Sequence, residues 1–221
     1  MFFYFKPGLV IFFLFLFGLF VNSATASHFA NSRASTAFIN QYEGDPDGFN
    51  NNCGIATALM AARLFDKPKP PGDNSYQQAM YLRQIRSLSI NDRATVTFES
   101  VTGILRSLDL VGELFWVEIP KQPWENEWQI HAIKSMEKMK LDFHDPGLDA
   151  VYIVMTTPRQ NEAYYYNHYI LIVDFNEDLN DFLVLDPVKS APRYFSELEL
   201  INLKLGWADA QLLRVVRPKV P

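Results

Sequence analysis

Cys53 is the single cysteine of this 221-residue chain, and it stands at the head of a run with helical spacing. A thiol attacks only as thiolate, and the thiolate is favoured at a helix N-terminus beside an imidazolium. Ile55, Ala58, Leu59, Ala62 and Leu64 recur at the helical period, Ala56, Ala58, Ala61 and Ala62 are strong helix formers, and Pro68, Pro70 and Pro71 forbid continuation. Cys53 is therefore expected at a helix start, its own N–H unpaired in the first turn and available to a developing oxyanion. Gly54 is read as leaving the approach of a carbonyl substrate unobstructed. The bland alternative for a lone thiol is an inert, buried small hydrophobe.

Two further side chains complete a possible relay. His168 opens the run His168-Tyr169-Ile170-Leu171-Ile172-Val173, next to the loop Gln160 to Asn167, and Asp186 closes the run Phe182 to Leu185 and precedes Pro187. Both runs are β-branched and aromatic, the mark of strands, and the polar segment Asn176 to Asp181 between them makes a hairpin. If residues 168 and 186 face each other, the turn is centred on residue 177; a slip of one residue changes the facing. A carboxylate at a strand end is partly desolvated and needs a partner, for which His168 is the natural choice. The competing readings are a core or surface histidine and an Asp-Pro turn initiator.

The segments Asn52-Cys53-Gly54-Ile55-Ala56-Thr57-Ala58-Leu59-Met60, Asn167-His168-Tyr169-Ile170-Leu171-Ile172-Val173 and Val184-Leu185-Asp186-Pro187 together resemble the cysteine, histidine and aspartate blocks of the papain-like cysteine peptidase superfamily, in its bacteriocin-leader-peptidase-like (double-glycine peptidase-like) branch. Block order and spacing span most of the chain after residue 26. The resemblance implies an α+β, papain-like fold, with N-terminal helices, the nucleophile at a helix N-terminus, and a mostly antiparallel sheet packed against it. It implies acyl chemistry on a peptide or amide substrate through a Cys53 thioester, with His168 as base and Asp186 orienting it, and no cofactor. It also implies an upstream glutamine in the oxyanion hole. Gln41 lies twelve residues before Cys53, a wider spacing than the resemblance leads one to expect. Either the Gly44 to Gly48 loop bulges out and restores the geometry, or Asn50, Asn51 or Asn52 substitutes.

The remaining elements must hold these blocks in place. Ser27 to Asn52 is polar and turn-rich. A helix is expected from an Asn74 or Ser75 N-cap to about Ser87, another over Ser100 to Leu108, a strand over Leu114 to Ile119, and an amphipathic helix carrying Trp124, Trp128, Ile133 and Met136. Val151 to Met155 and Gln211 to Val216 read as strands, and Ser196 with Glu199 as a capping box. Helices first and strands after argue α+β rather than a doubly wound parallel sheet.

Lys6 followed by the apolar run Leu9 to Val21 and by Ala24-Thr25-Ala26 has the layout of a secretory signal peptide. The run is shorter than the about 20 apolar residues of a comfortable span, so cleavage after Ala26 is expected, leaving residues 27–221 as one domain and no stable membrane span. A secreted or periplasmic location follows. An unpaired thiol in an exported protein is itself a flag for reactivity. The formal charge is −5, with Lys and Arg scattered, which argues against nucleic acid as a partner. His131, Asp142, His144 and Asp145 lack the i, i+4 histidine spacing of a zinc helix, so no metal is expected. The sequence leaves oligomeric state open. The alternative to an enzyme is a catalytically silent domain of the same type that binds a peptide or cell-wall fragment.

Overall fold

The helix that begins at Cys53 is apolar around its whole circumference, and the fold buries it accordingly. The computed structural model describes residues 32–43, 52–88, 97–115, 127–145, 147–156, 159–160, 164–165, 168–203 and 212–217. Helix α1 (Cys53–Leu64) is buried at every position from Cys53 to Ala62. It is wedged between α2 (Ser75–Ile85), α3 (Phe98–Ser107) and a sheet. The Asn74 and Thr97 side chains cap α2 and α3 by accepting from the N–H groups of Gln77 and Ser100.

The sheet has six strands: β1 (Val111–Phe115), β2 (Ala150–Thr156), β5 (His168–Asn176), β6 (Asp181–Leu185), β7 (Arg193–Ser196) and β8 (Leu212–Val216). Their spatial order is β1-β8-β2-β5-β6-β7, and every pairing is antiparallel. β3 (Arg159–Gln160) and β4 (Tyr164–Tyr165) form a separate two-stranded ribbon. One face of the sheet packs Ile153, Met155, Tyr169, Leu171, Leu183 and Leu185 against α1, α2 and α3. The opposite face packs Tyr152, Val154, Ile170, Ile172, Phe182 and Val184 against α4 (Glu127–His144) and α5 (Glu197–Asn202). The central strands are covered on both faces, which is why they read as continuous apolar runs instead of alternating ones. The architecture is α+β: helices on both faces of an antiparallel sheet.

Several expectations need correction. Residues 32–37 are helical within the stretch read as polar and turn-rich, because Ala34 and Ala37 sit one turn apart and are both buried. The strand placed over Leu114 to Ile119 begins at Val111, where it pairs with Val216; residues 116–119 lie outside the described residues. α3 starts at Phe98 instead of Ser100, since Thr97 is the cap. The closing strand lies in the interior of the sheet, between β1 and β2. Within the loop Gln160 to Asn167, Gln160 pairs with Tyr164 in the small ribbon. The Ser196 and Glu199 capping box is present in full. Residues 1–26, Trp124, Asn50 and Asn51 lie outside the described residues. Among the described residues no helix is long and apolar enough to cross a membrane.

Candidate active site

The site is assembled where three element ends meet. Cys53 is the first residue of α1, His168 the first of β5, and Asp186 the residue after β6. By strand parity His168 belongs with Ile170 and Ile172, on the α4 face, whereas Cys53 belongs to the α1 layer on the other face. Contact between them is made around the end of the sheet, and only terminal residues have that freedom.

The His168 Nε2–H donates to Asp186 Oδ1 at 2.7 Å, with both side chains buried. A carboxylate can only accept, so this bond places the proton of that ring edge on Nε2 and leaves Nδ1 for the other partner. Cys53 is the other side chain that acts on the ring, through a hydrogen bond and through its charge. The three residues therefore form one continuous chain, thiol to imidazole to carboxylate. Burial opposes the charged imidazole and is the largest single influence on it. The hydrogen bonds to Asp186 and Cys53 and the negative charges of both outweigh it, and the His168 pKa is pushed up to about 9. Burial likewise works against the Asp186 carboxylate, but the hydrogen bond and charge of His168, the Val188 N–H and Lys189 hold it below its ordinary value.

Asp186 satisfies two readings at once. Its Oδ1 accepts from His168 and also from the Val188 N–H at 3.0 Å, so the Asp-Pro turn and the histidine partner use the same oxygen. The hairpin does not, however, place 168 opposite 186. Asn176 pairs with Asp181 and Leu171 with Leu185, and the register shifts between Ile172 and Asp174. The turn is centred between residues 178 and 179, and although the shift at Val173 brings the register one step back, the continued register sets residue 186 opposite residue 170, so His168 reaches Asp186 diagonally across the pair.

Gly54 has a role the sequence did not disclose. A Cβ there would lie 3.0 Å from Val101 Cγ2 and 3.2 Å from Tyr169 Cδ2, so the glycine faces the interior. It permits close approach of α1 to α3 and to the residue next to His168, correcting the expectation of an open substrate approach. Tyr169, edge-on to Phe98 with centroids 5.1 Å apart, is buried against this contact.

Gln41 is buried, and its backbone N–H donates to the Pro187 carbonyl at 2.9 Å. Asn40 Nδ2 donates to the Lys189 carbonyl at 3.2 Å. The segment preceding α1 is thereby stitched to the aspartate turn, and Gln41 and Asn52 line a common small cavity near the start of α1. Despite its sequence distance from Cys53, Gln41 is thus brought to the Asp186 turn. Asn52 accepts a hydrogen bond from Arg83 Nε, at 2.7 Å and fully buried, a contact that sequence reasoning missed. An arginine on an amphipathic helix reads as a solvated side chain, so no local signal marks it. His131, Asp142, His144 and Asp145 are not gathered: no metal-binding group of three or more acidic, histidine or cysteine side chains occurs among the described residues. Asp142 instead bonds Tyr152, with Arg214 Nη1 at 3.4 Å, and His144 bonds Glu177. In comparisons with known proteins, no family model and no curated protein matches this chain.

Proposed function

We propose that the protein is an exported cysteine-nucleophile enzyme of papain-like type that cleaves or transfers the acyl group of a peptide or amide. The observation that carries this reading is the buried, continuous chain Cys53–His168–Asp186 with its thiol at a helix N-terminus. The Cys53 thiolate attacks the substrate carbonyl carbon, forming a C–S bond and an oxyanion that the first-turn N–H groups of α1 face. Collapse of the tetrahedral adduct breaks the C–N bond as the imidazolium of His168 gives its proton to the leaving amine. Water or an acceptor amine then attacks the thioester, losing a proton to His168 and releasing the Cys53 thiolate. Asp186 holds the ring in one tautomer and stabilises its charged form throughout.

One observation favours the binding-module alternative: Cys53 retains only 7% exposure. Both readings are tested by treating the native protein with a panel of electrophilic peptide and amide probes and determining intact mass, with Cys53→Ala as control. Acylation of Cys53 that is lost in His168→Ala supports the enzyme. A thiol equally inert in both, reactive only after unfolding, leaves the binding module. Export rests on Lys6 and the run Leu9 to Val21; mature protein beginning at Ser27 is the expected mass, and full-length chain held in the membrane fraction would refute it.

A further inference from the structure

The N-terminus of α1 is built differently from those of the helices around it. Asn74, Thr97 and Ser196 precede α2, α3 and α5 with ψ of 172°, 162° and 159°, and each side chain accepts from an N–H of its own first turn. Asn52 precedes α1 with φ −94° and ψ 10° and makes no such bond, although asparagine is among the best capping residues. That conformation is the sparsely populated bridge region. The capping oxygen is engaged elsewhere, since Oδ1 accepts from Arg83 Nε at 2.7 Å. Both residues are buried, Asn52 at 2% exposure and Arg83 at 4%. Arg83 makes a further interaction besides this one. Among the described residues the Asn52 Nδ2 group, buried next to Cys53, has no hydrogen-bond partner.

Burying a guanidinium is costly, and here one is held against the residue that would otherwise cap the nucleophile helix. We propose that Arg83 is a positioning residue for the nucleophile: by holding the Asn52 amide it keeps α1 uncapped, so that the first-turn N–H groups stay available to the Cys53 thiolate and to the oxyanion formed on attack. The inference rests on the reading of Cys53 as nucleophile. It assigns Arg83 no contact with substrate. Capping would stabilise the helix while spending the donors that the chemistry uses, so stability and reactivity are set against each other at residue 52.

That opposition gives the test. The rate of alkylation of Cys53 by iodoacetamide is measured on the native full chain at neutral pH, together with the thermal unfolding midpoint. Arg83→Met frees the Asn52 side chain to cap, and alkylation should slow about tenfold, the size expected for a charge at a partly buried helix N-terminus. Adding Asn52→Ala, which has no acceptor to cap with, should restore most of that loss. If Arg83→Met does not fold, the comparison is made at residue 52. Asn52→Ser, too short to reach Arg83 but able to cap, should react several-fold more slowly than Asn52→Ala while melting higher. A merely structural role for the pair predicts that rate and melting temperature fall together. Equal rates in the Ser and Ala variants, or no recovery in the double variant, would overturn the proposal while leaving the nucleophile reading intact. A wild-type thiol that resists alkylation, or reacts no differently in His168→Ala, would remove the nucleophile reading and this inference with it.

Discussion

The buried His168–Asp186 pair makes stability depend on pH in a window where few other groups titrate. The His168 pKa rises from its ordinary 6.5 to about 9 in the fold. A raised pKa means that the folded state binds the proton more tightly, so the stabilisation is complete below pH 6.5 and is lost as pH climbs through 9. A shift of this size corresponds to about 3 kcal/mol, at about 1.4 kcal/mol per pH unit. The ring is only 7% exposed, so solvent screening does little to reduce it. Urea unfolding of the wild type and of His168→Gln, at half-unit steps from pH 6 to 10, isolates the effect. With a slope of about 2 kcal/mol/M, the wild-type midpoint should fall by about 1.5 M more than that of the variant across this range. The His168 ring proton resonance, identified by its absence in His168→Gln, should titrate near pH 9. In Cys53→Ala, which removes two of the influences that raise it, that midpoint should move down. Parallel stability profiles for wild type and His168→Gln, or a ring midpoint at or below 6.5, would refute the charged-imidazole reasoning.

Other substitutions probe the neighbouring contacts. Asp186→Ala should cost about 3–5 kcal/mol at neutral pH, by stranding a buried imidazolium, while Asp186→Asn should stay folded with slower acylation; the two are compared by urea unfolding and probe labelling. In Gly54→Ala the about 1 kcal/mol that alanine gains in helix propensity should be outweighed by about 1–3 kcal/mol of overpacking against Val101 and Tyr169. A thermal midpoint at or above wild type would show that those neighbours give way. Gln41→Ala should lower turnover of a reactive amide probe about 10²- to 10³-fold with little change in stability, as expected of an oxyanion donor. Undiminished turnover would move that role to residues 50–52.

What the sequence made legible, and what it did not, follows from the range of the interactions. The start of α1 was readable because alanines, apolar spacing and the prolines after Lys67 are all local signals. His168 and Asp186 were readable as strand ends because β5 and β6 are buried on both faces and so stand out as apolar runs. The hairpin register was not, since neither the placing of the turn between residues 178 and 179 nor the irregularity at Val173 leaves a mark on composition, and together they set His168 diagonal to Asp186 instead of facing it. Gly54 was misread because a glycine beside a nucleophile serves an open approach or a tight packing contact equally well, and only the positions of Val101 and Tyr169 decide. Arg83 was invisible because its partner lies thirty-one residues away, on another helix. The described helical residues 32–37 offer only Ala34 and Ala37 as an apolar pair, too little for periodicity to establish.

The place of β8 governs the order in which the sheet becomes whole. β2, β5, β6 and β7 pair in a row and can form as soon as they have been synthesised, but β1 touches that row only through β8, the last described strand to emerge. Until β8 inserts, β2 presents a bare edge of apolar, β-branched residues from Val151 to Val154, and β1 has no partner. A bare edge of this kind is a template for pairing with another chain, and it is covered only when Leu212–Val216 is available. Because Leu213 and Val215 also join the core that packs α1, the layer carrying Cys53 gains its full support from the sheet at the same moment. The surroundings of the Cys53 thiol should therefore be among the last parts of the fold to mature.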